Sequence, residues 1–171
     1  MLSLKEIATV IDGQLTGEDT DFSSVSTDSR TLQPGALFIA LDGDNFKGHD
    51  FVEQAHDAGA AAIISTRPAL RGSPGLVVKD TTIALGQLAG FWRNRFDIPV
   101  IGVTGSNGKT TVKEMISSIL GQLGPVHASP GSFNNHIGLP LTLLGLQPEH
   151  RFAVIEIGMN HPGEIDYLSR I

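Results

Sequence analysis

The stretch that most constrains the fold of this chain is VIGVTGSNGKTTVKEMISSIL, residues 100 to 120. It opens on five apolar or small residues that favour a strand and passes through Gly105 and Gly108. Then come Lys109, Thr110 and Thr111, followed by Val112, Met115, Ile116, Ile119 and Leu120 at helical spacing. The order strand, glycine loop, helix has a chemical consequence. A buried strand aims the loop, and glycines let backbone N–H groups close on phosphate oxygens. The helix N-terminus adds the positive end of its dipole. Lys109 is placed to reach the β/γ-phosphates, and the Thr110 hydroxyl is placed for Mg²⁺. The strict phosphate-loop pattern wants a glycine five residues before Gly108, where this chain has Val103. A plain Gly-rich turn with a surface lysine is the alternative. The GK[ST] triplet falls where strand pattern gives way to helix pattern, which favours the phosphate loop.

Composition narrows the function classes. The chain has 171 residues, enough for one large domain or two small ones. It contains no cysteine, which removes disulfides and thiolate metal sites and fits a reducing compartment. Twelve basic residues stand against 18 acidic ones with no basic block, so nucleic acid is not the expected partner. No apolar run is long enough to span a bilayer, and MLSLKEIATV lacks the pattern of a signal peptide. The expectation is a cytoplasmic monomer with no membrane insertion.

Taken in order, Ser3 and Glu6 form a capping box, and Leu4, Ile7, Ala8 and Ile11 mark one face of a short helix ending at Gly13. A strand-like stretch runs to about Val25. In residues 26–51, Pro34-Gly35 is a turn and LFIAL a buried strand. Polar groups crowd both sides of that strand: Thr27, Asp28, Ser29 and Arg30 before it, and Asp42, Asn45, Lys47 and His49 after. Solvated loops account for such density; a ligand rim is the alternative, with Arg30 and Lys47 available to phosphates. The segment His49 to Ala58 reads as a helix closed by Gly59, with Phe51, Val52 and Ala55 inward. AAIIS and LVVKD are short buried strands. Thr81 or Thr82 caps the next helix, which carries Trp92 in a packing role.

Beyond the loop helix, VHAS is a second short strand, and Asn134 and Asn135 precede a helical apolar run despite Pro140. Such asparagines form turns or donate to a substrate at the strand ends. FAVIEIGMNHPGEI is a buried strand with Glu156 near its end. A buried carboxylate requires a partner: a salt bridge, or Mg²⁺ given the loop. Only three strands follow from the loop onward, too few for a doubly wound sheet covered on both faces, so the chain reads as truncated.

Together, TDSRTLQPGALFIAL, GHDF and VTGSNGKTT resemble the Mur ligase family, the ATP-dependent amide-bond-forming enzymes of peptidoglycan precursor synthesis. The family begins its phosphate loop with TG, which accounts for Val103. FNNHIGLPLTLL and EIGMNHPGEI are similar to the branch that joins D-alanyl-D-alanine to UDP-N-acetylmuramoyl-tripeptide. The fold implied is α/β: a small N-terminal α/β UDP-binding domain over 1–80, a connecting helix over 81–97, and over 98–171 the first part of a phosphate-loop, parallel-sheet ATP-binding domain.

The resemblance implies ATP and Mg²⁺ as cofactors. Thr104, Gly105, Ser106, Asn107, Gly108, Lys109, Thr110 and Thr111 would bind ATP, with Lys109 catalytic and Thr110 and Glu156 as metal ligands. Asn134 and Asn135 match substrate-proximal asparagines, and His161 lies beside the motif's Asn160. Thr27, Asp28, Ser29, Arg30, Lys47 and His49 fall where the family meets its uridine nucleotide; Lys47 stands where relatives often carry an acidic residue. The reaction implied runs through an acyl phosphate, and this chain by itself is expected not to turn over. A folylpolyglutamate-synthetase-like ligase shares the loop but not the uridine-binding region. A noncatalytic uridine-nucleotide-binding module is the third reading.

Overall fold

In the computed structural model, which describes residues 2–43 and 47–171, the chain divides into two compact units, Met1–Leu88 and Ala89–Ile171. Asn45 lies outside the described residues.

In the first unit, β1 (Leu2–Ser3) pairs antiparallel with β3 (Asp21–Phe22). Between them, α1 (Leu4–Ala8) starts at Ser3, whose hydroxyl accepts from the Glu6 amide at 3.3 Å. Leu4 and Ile7 are fully buried, and Ile11 follows them inward from the turn that ends at Gly13. A five-stranded sheet carries the rest, in the order β2 (Gln14–Thr16), β7 (Gly75–Val77), β6 (Ala62–Ser65), β5 (Leu37–Ile39), β4 (Val25–Ser26). Only β2 runs antiparallel to its neighbour. β5 and β6 are buried on both faces and read as continuous apolar runs, as parallel strands should. Helix α2 (Val52–Asp57) sets Val52 and Ala55 against Phe38 and Ile63.

Two expectations for this unit are corrected. The segment 49–58 does not begin as an α-helix: Gly48–Phe51 form a 3₁₀ turn first, and Phe51 is exposed rather than inward. The tighter turn changes the phase of side chains at 48–51 relative to those of α2. The cap of α3 (Thr81–Arg93) is neither Thr81 nor Thr82 but Asp80, whose carboxylate accepts from the Thr82 and Ile83 amides at 2.8 and 3.0 Å. An ionised acceptor is the better partner for a positive helix end, and Thr81 is buried.

The second unit holds a three-stranded, fully parallel sheet in the order β8 (Val100–Val103), β10 (Phe152–Glu156), β9 (Val126–Ala128). β10, in the middle, is the most buried, although it ends on Glu156. The helices are α4 (Lys109–Leu120), α5 (Gly138–Leu144) and α6 (Glu164–Leu168). Leu139, Leu143, Leu146, Ala153, Ile155 and Leu168 form one core. Pro140 sits in the first turn of α5, between Leu139 and Leu141, whose amides donate to the Asn135 and Ile137 carbonyls at 3.0 and 3.1 Å; its fixed φ suits a helix start. Trp92 packs here, edge to face with Phe96 at 5.4 Å, its ring N–H donating to the Leu146 carbonyl at 3.1 Å.

Helix α4 does not bury the face expected of it. Val112, Met115 and Ile119 are exposed; Ile116 and Leu120 are half-buried, and Lys113 is completely buried. The five apolar residues belong to two stripes, and the sheet takes the one that runs 113, 116, 117, 120.

Candidate functional site

The site of the second unit is built at the C-terminal ends of its three parallel strands, where open α/β sheets hold their ligands. β8 ends at Val103, and Thr104–Gly108 make the loop, exposed throughout. Gly108 takes φ +75°, a left-handed conformation that costs a side chain dearly but lets α4 begin without a side-chain cap. The first amides of α4 therefore face outward as donors for an anion. Gly108 accepts the first helical bond, from Val112, at 2.9 Å. The Lys109 ammonium folds over the loop and donates to the Gly105 carbonyl at 2.9 Å.

One turn into α4, Thr110 meets Glu156. Its hydroxyl donates to Glu156 Oε2 at 2.8 Å, while the Asn134 amide donates to Oε1 at 2.7 Å. The carboxylate is 1 % exposed, so each of its oxygens has a partner, as burial demands. Its backbone N–H donates to the Ser129 hydroxyl at 2.9 Å. Asn134 is held in turn: its carbonyl accepts from the Gly158 amide at 2.8 Å, and a Cβ on Gly158 would lie 2.7 Å from the Asn134 side chain. The glycine of EIGMN is there because the asparagine needs the room.

The neighbouring asparagine serves differently. Asn135 Oδ1 accepts from the Ile137 and Gly138 amides at 3.1 and 2.8 Å and so caps α5. Asn160 and His161 are exposed, and their amides donate to Glu164 Oε2 at 2.6 and 3.1 Å. Those bonds, Asn160's first, hold the Glu164 carboxyl below its ordinary value. The buried carboxylate thus takes neutral donors rather than a salt bridge. A threonine hydroxyl beside a carboxylate is the hard-oxygen pair that suits Mg²⁺, which keeps several waters and takes few protein ligands. Among the described residues no group of three or more His, Cys, Asp or Glu gathers to hold a metal.

Sequence reasoning passed over two residues, Lys113 and Ser129. Lys113 was legible in one respect: it stands four residues after Lys109 and three before Ile116, on the inward stripe.

In the first unit the loop after β4 and the 3₁₀ turn line a cavity of about 440 Å³. Thr27, Asp28, Ser29 and Arg30 lie on one side and Gly48 and Phe51 on the other. The Arg30 guanidinium, expected to be available to phosphate, is engaged. It makes a two-pronged pair with Asp28 at 2.9 and 2.7 Å, while the Arg30 amide donates to the same carboxylate at 2.9 Å. That pairing draws the Asp28 pKa down to about 2, the Arg30 side chain first and its amide second. Ser29 turns inward and donates to Gln54 Oε1 at 2.8 Å, fastening the loop to α2. Lys47 is exposed, with no capping bond to the turn it precedes. Among the described residues, His49 Nδ1 is the buried side-chain nitrogen or oxygen without a partner.

A parallel sheet whose first strand feeds a glycine loop and a helix, with a threonine of that helix on a buried acid of the central strand, defines a phosphate-loop α/β protein. More narrowly, the chain belongs to the Mur ligase family. Residues 21–93 match the family model described as Mur ligase family, catalytic domain, and residues 103–171 the one described as Mur ligase middle domain. It is similar to the UDP-N-acetylmuramoyl-tripeptide–D-alanyl-D-alanine ligase of Escherichia coli (strain K12), with 46 % identity over 96 % of this chain and 36 % of that protein. The ligase of the same name in Bacillus subtilis (strain 168) shows 46 % identity over 99 % of this chain and 38 % of its own length. Among solved structures, MurF from Acinetobacter baumannii superposes with a TM-score of 0.89 at 40 % identity, covering 96 % of this chain and 37 % of that one. MurF ligase from Thermotoga maritima in complex with ADP gives 0.79 at 34 % identity, over 86 % and 34 %. The chain thus spans less than two fifths of the length of these relatives.

Proposed function

We propose that this chain is the substrate- and nucleotide-binding part of an ATP-dependent ligase that joins D-alanyl-D-alanine to UDP-N-acetylmuramoyl-tripeptide. The observation that carries the reading is the convergence of Thr110 and Asn134 on buried Glu156 at the mouth of the Lys109 loop. The names of the relatives and the ADP complex of the Thermotoga maritima ligase support it.

In this reading the tripeptide's terminal carboxylate attacks the γ-phosphorus of ATP. An O–P bond forms, the bond to the bridging oxygen of ADP breaks, and an acyl phosphate results. The amine of D-alanyl-D-alanine then attacks the acyl carbon and phosphate leaves. The chain supplies position and charge neutralisation. The outward amides at the start of α4 receive phosphate oxygens, and Lys109 exchanges the Gly105 carbonyl for a phosphate. Thr110 and Glu156 would hold Mg²⁺, which when bound neutralises charge on the β- and γ-phosphates. Asn134 keeps the Glu156 carboxylate turned toward Thr110. None of these residues needs to become a covalent nucleophile. The first unit would receive the uridine end of the muramoyl substrate, within the domain expected over residues 1–80, along Thr27–Arg30, Lys47 and His49.

The test is the melting temperature of the chain with UDP-N-acetylmuramoyl-tripeptide, UDP, Mg²⁺·ADP or a folate. Ligand at a hundredfold its Kd stabilises the unit that binds it by about 2.7 kcal/mol. Each kcal/mol moves a unit of this size by about 4–8 °C. Shifts with the uridine compounds and with Mg²⁺·ADP but not with folate are expected. A folate shift with no uridine shift overturns the substrate assignment.

A further inference from the structure

The proposed mechanism leaves one buried charge unused. Lys113 is 0 % exposed, yet it lies on the same face of α4 as Thr110, one turn further along. Its ammonium has three N–H donors and three acceptors: the Ser129 carbonyl at 2.6 Å, the Gly131 carbonyl at 3.3 Å and Glu114 Oε1 at 2.9 Å. The two carbonyls belong to the bend where the chain leaves β9. They flank Pro130, in an irregular segment that a strand ladder does not serve. A buried ammonium carries a large desolvation cost that only a full set of partners offsets. A methionine or leucine would fill the same stripe without that cost, but would leave both carbonyls without a donor.

The segment so held carries the site. Ser129 receives the Glu156 amide on its hydroxyl. Five residues on is Asn134, which holds Glu156 Oε1, and Asn135 then fixes the far end of the segment by capping α5. Helix α4 therefore touches the carboxylate twice: directly through Thr110, and indirectly through Lys113, the 129–131 bend and Asn134. We propose that Lys113 is a positioning residue that couples the phosphate loop to the asparagine loop, so that nucleotide bound at one is registered by the Asn134 amide at the other. A shift of the first turns of α4 moves both contacts at once, because Thr110 and Lys113 share its rigid backbone. This inference rests on the reading of residues 104–111 as a nucleotide site.

The experiment is a titration of the ¹⁵N-labelled full chain with Mg²⁺·ADP, following the backbone amides of 104–111 and the side-chain amide pair of Asn134. In the unmodified chain both sets shift with one apparent Kd. In Lys113→Met the loop amides still shift and the Asn134 pair stops responding. Lys113→Arg, which can donate to both carbonyls, restores the response. A Lys113→Met protein whose Asn134 pair follows nucleotide as before overturns the coupling and leaves Lys113 a packing residue. If Lys113→Met does not fold, the Lys113 ammonium resonance of the unmodified chain decides. A solvent-protected signal that moves with nucleotide upholds the coupling; one that stays fixed while the 104–111 amides move overturns it. Silence of the 104–111 amides in the unmodified chain refutes the nucleotide site itself, and the coupling with it.

Discussion

The candidate sites of the two units hold their charged residues in opposite ways. In the second, Glu156 and Lys113 are buried and each meets partners from separate segments: α4, the 129–135 bend and the end of β10. In the first, Asp28 and Arg30 satisfy one another in solvent, two residues apart. Burial forces the first kind of arrangement to be complete before any ligand arrives, since an unpaired polar atom there costs about 1–3 kcal/mol. Exposure imposes no such demand, so a rim can wait for its ligand to organise it. Substitutions should therefore act on stability in the second unit and on ligand affinity in the first.

The largest effect is expected at Glu156. Glu156→Ala strips the Asn134 amide and the Thr110 hydroxyl of their acceptor and should lower stability in urea by about 2–4 kcal/mol. Glu156→Gln sharpens the point. Its oxygen can accept from Asn134 while its amide donates to Thr110, so the fold should hold, but Mg²⁺ should no longer strengthen ADP binding in a calorimetric titration. Next is Asn134→Ala, which leaves a carboxylate oxygen bare and should cost about 1.5–3 kcal/mol by the same measurement. Equal losses for Asn134→Ala and Asn135→Ala would break the distinction between the acid's partner and a helix cap.

A smaller effect should appear on acidification. His127 Nε2 donates to the Thr142 carbonyl at 2.6 Å, and burial, with His150 4.9 Å away, outweighs that bond and holds the imidazole below its ordinary 6.5. The folded state thus binds fewer protons than the unfolded chain. The stability is fully present above pH 6.5 and is lost as pH falls through the lowered pKa. Melting curves of the second unit should show this slope and His127→Gln should flatten it. The smallest effect belongs to Asp28, depressed from 3.8 to about 2. Its contribution is complete above pH 3.8 and disappears as pH falls through 2. Asp28→Asn should leave the melting temperature at pH 7 almost where it was while changing UDP affinity, because it frees the Arg30 guanidinium. A large loss of stability from Asp28→Asn would contradict the contrast between the units.

What the sequence disclosed follows the same division. Where side-chain chemistry and backbone pattern coincide, as at Gly108-Lys109-Thr110 on a strand-to-helix junction, the loop and its helix were legible. The cost of burying Glu156 announced that it must have partners, and Thr110 and Asn134 were already singled out for other reasons. The inward face of α4 was not legible, because two apolar stripes compete and the sheet takes the one bearing a lysine. Residue types alone do not announce a buried Lys113, since its partners are backbone carbonyls. The cap of α3 was misplaced by one or two residues because Asp80 and two threonines are all competent acceptors. The Asp28–Arg30 pair was hidden because both residues also suit a ligand. Geometry separates these cases; composition does not.

The central claim is that each unit holds its own ligand, nucleotide at the 104–111 loop and the uridine-linked substrate at the rim that includes residues 27–30. Hydrogen exchange of the full chain, read peptide by peptide, tests it most directly. Mg²⁺·ADP should slow exchange in peptides spanning 104–111 and 129–135 and leave 27–30 unchanged; UDP-N-acetylmuramoyl-tripeptide should slow 27–30 and 47–51. Protection of 27–30 by Mg²⁺·ADP, or of neither region by its own ligand at saturating concentration, would contradict the account.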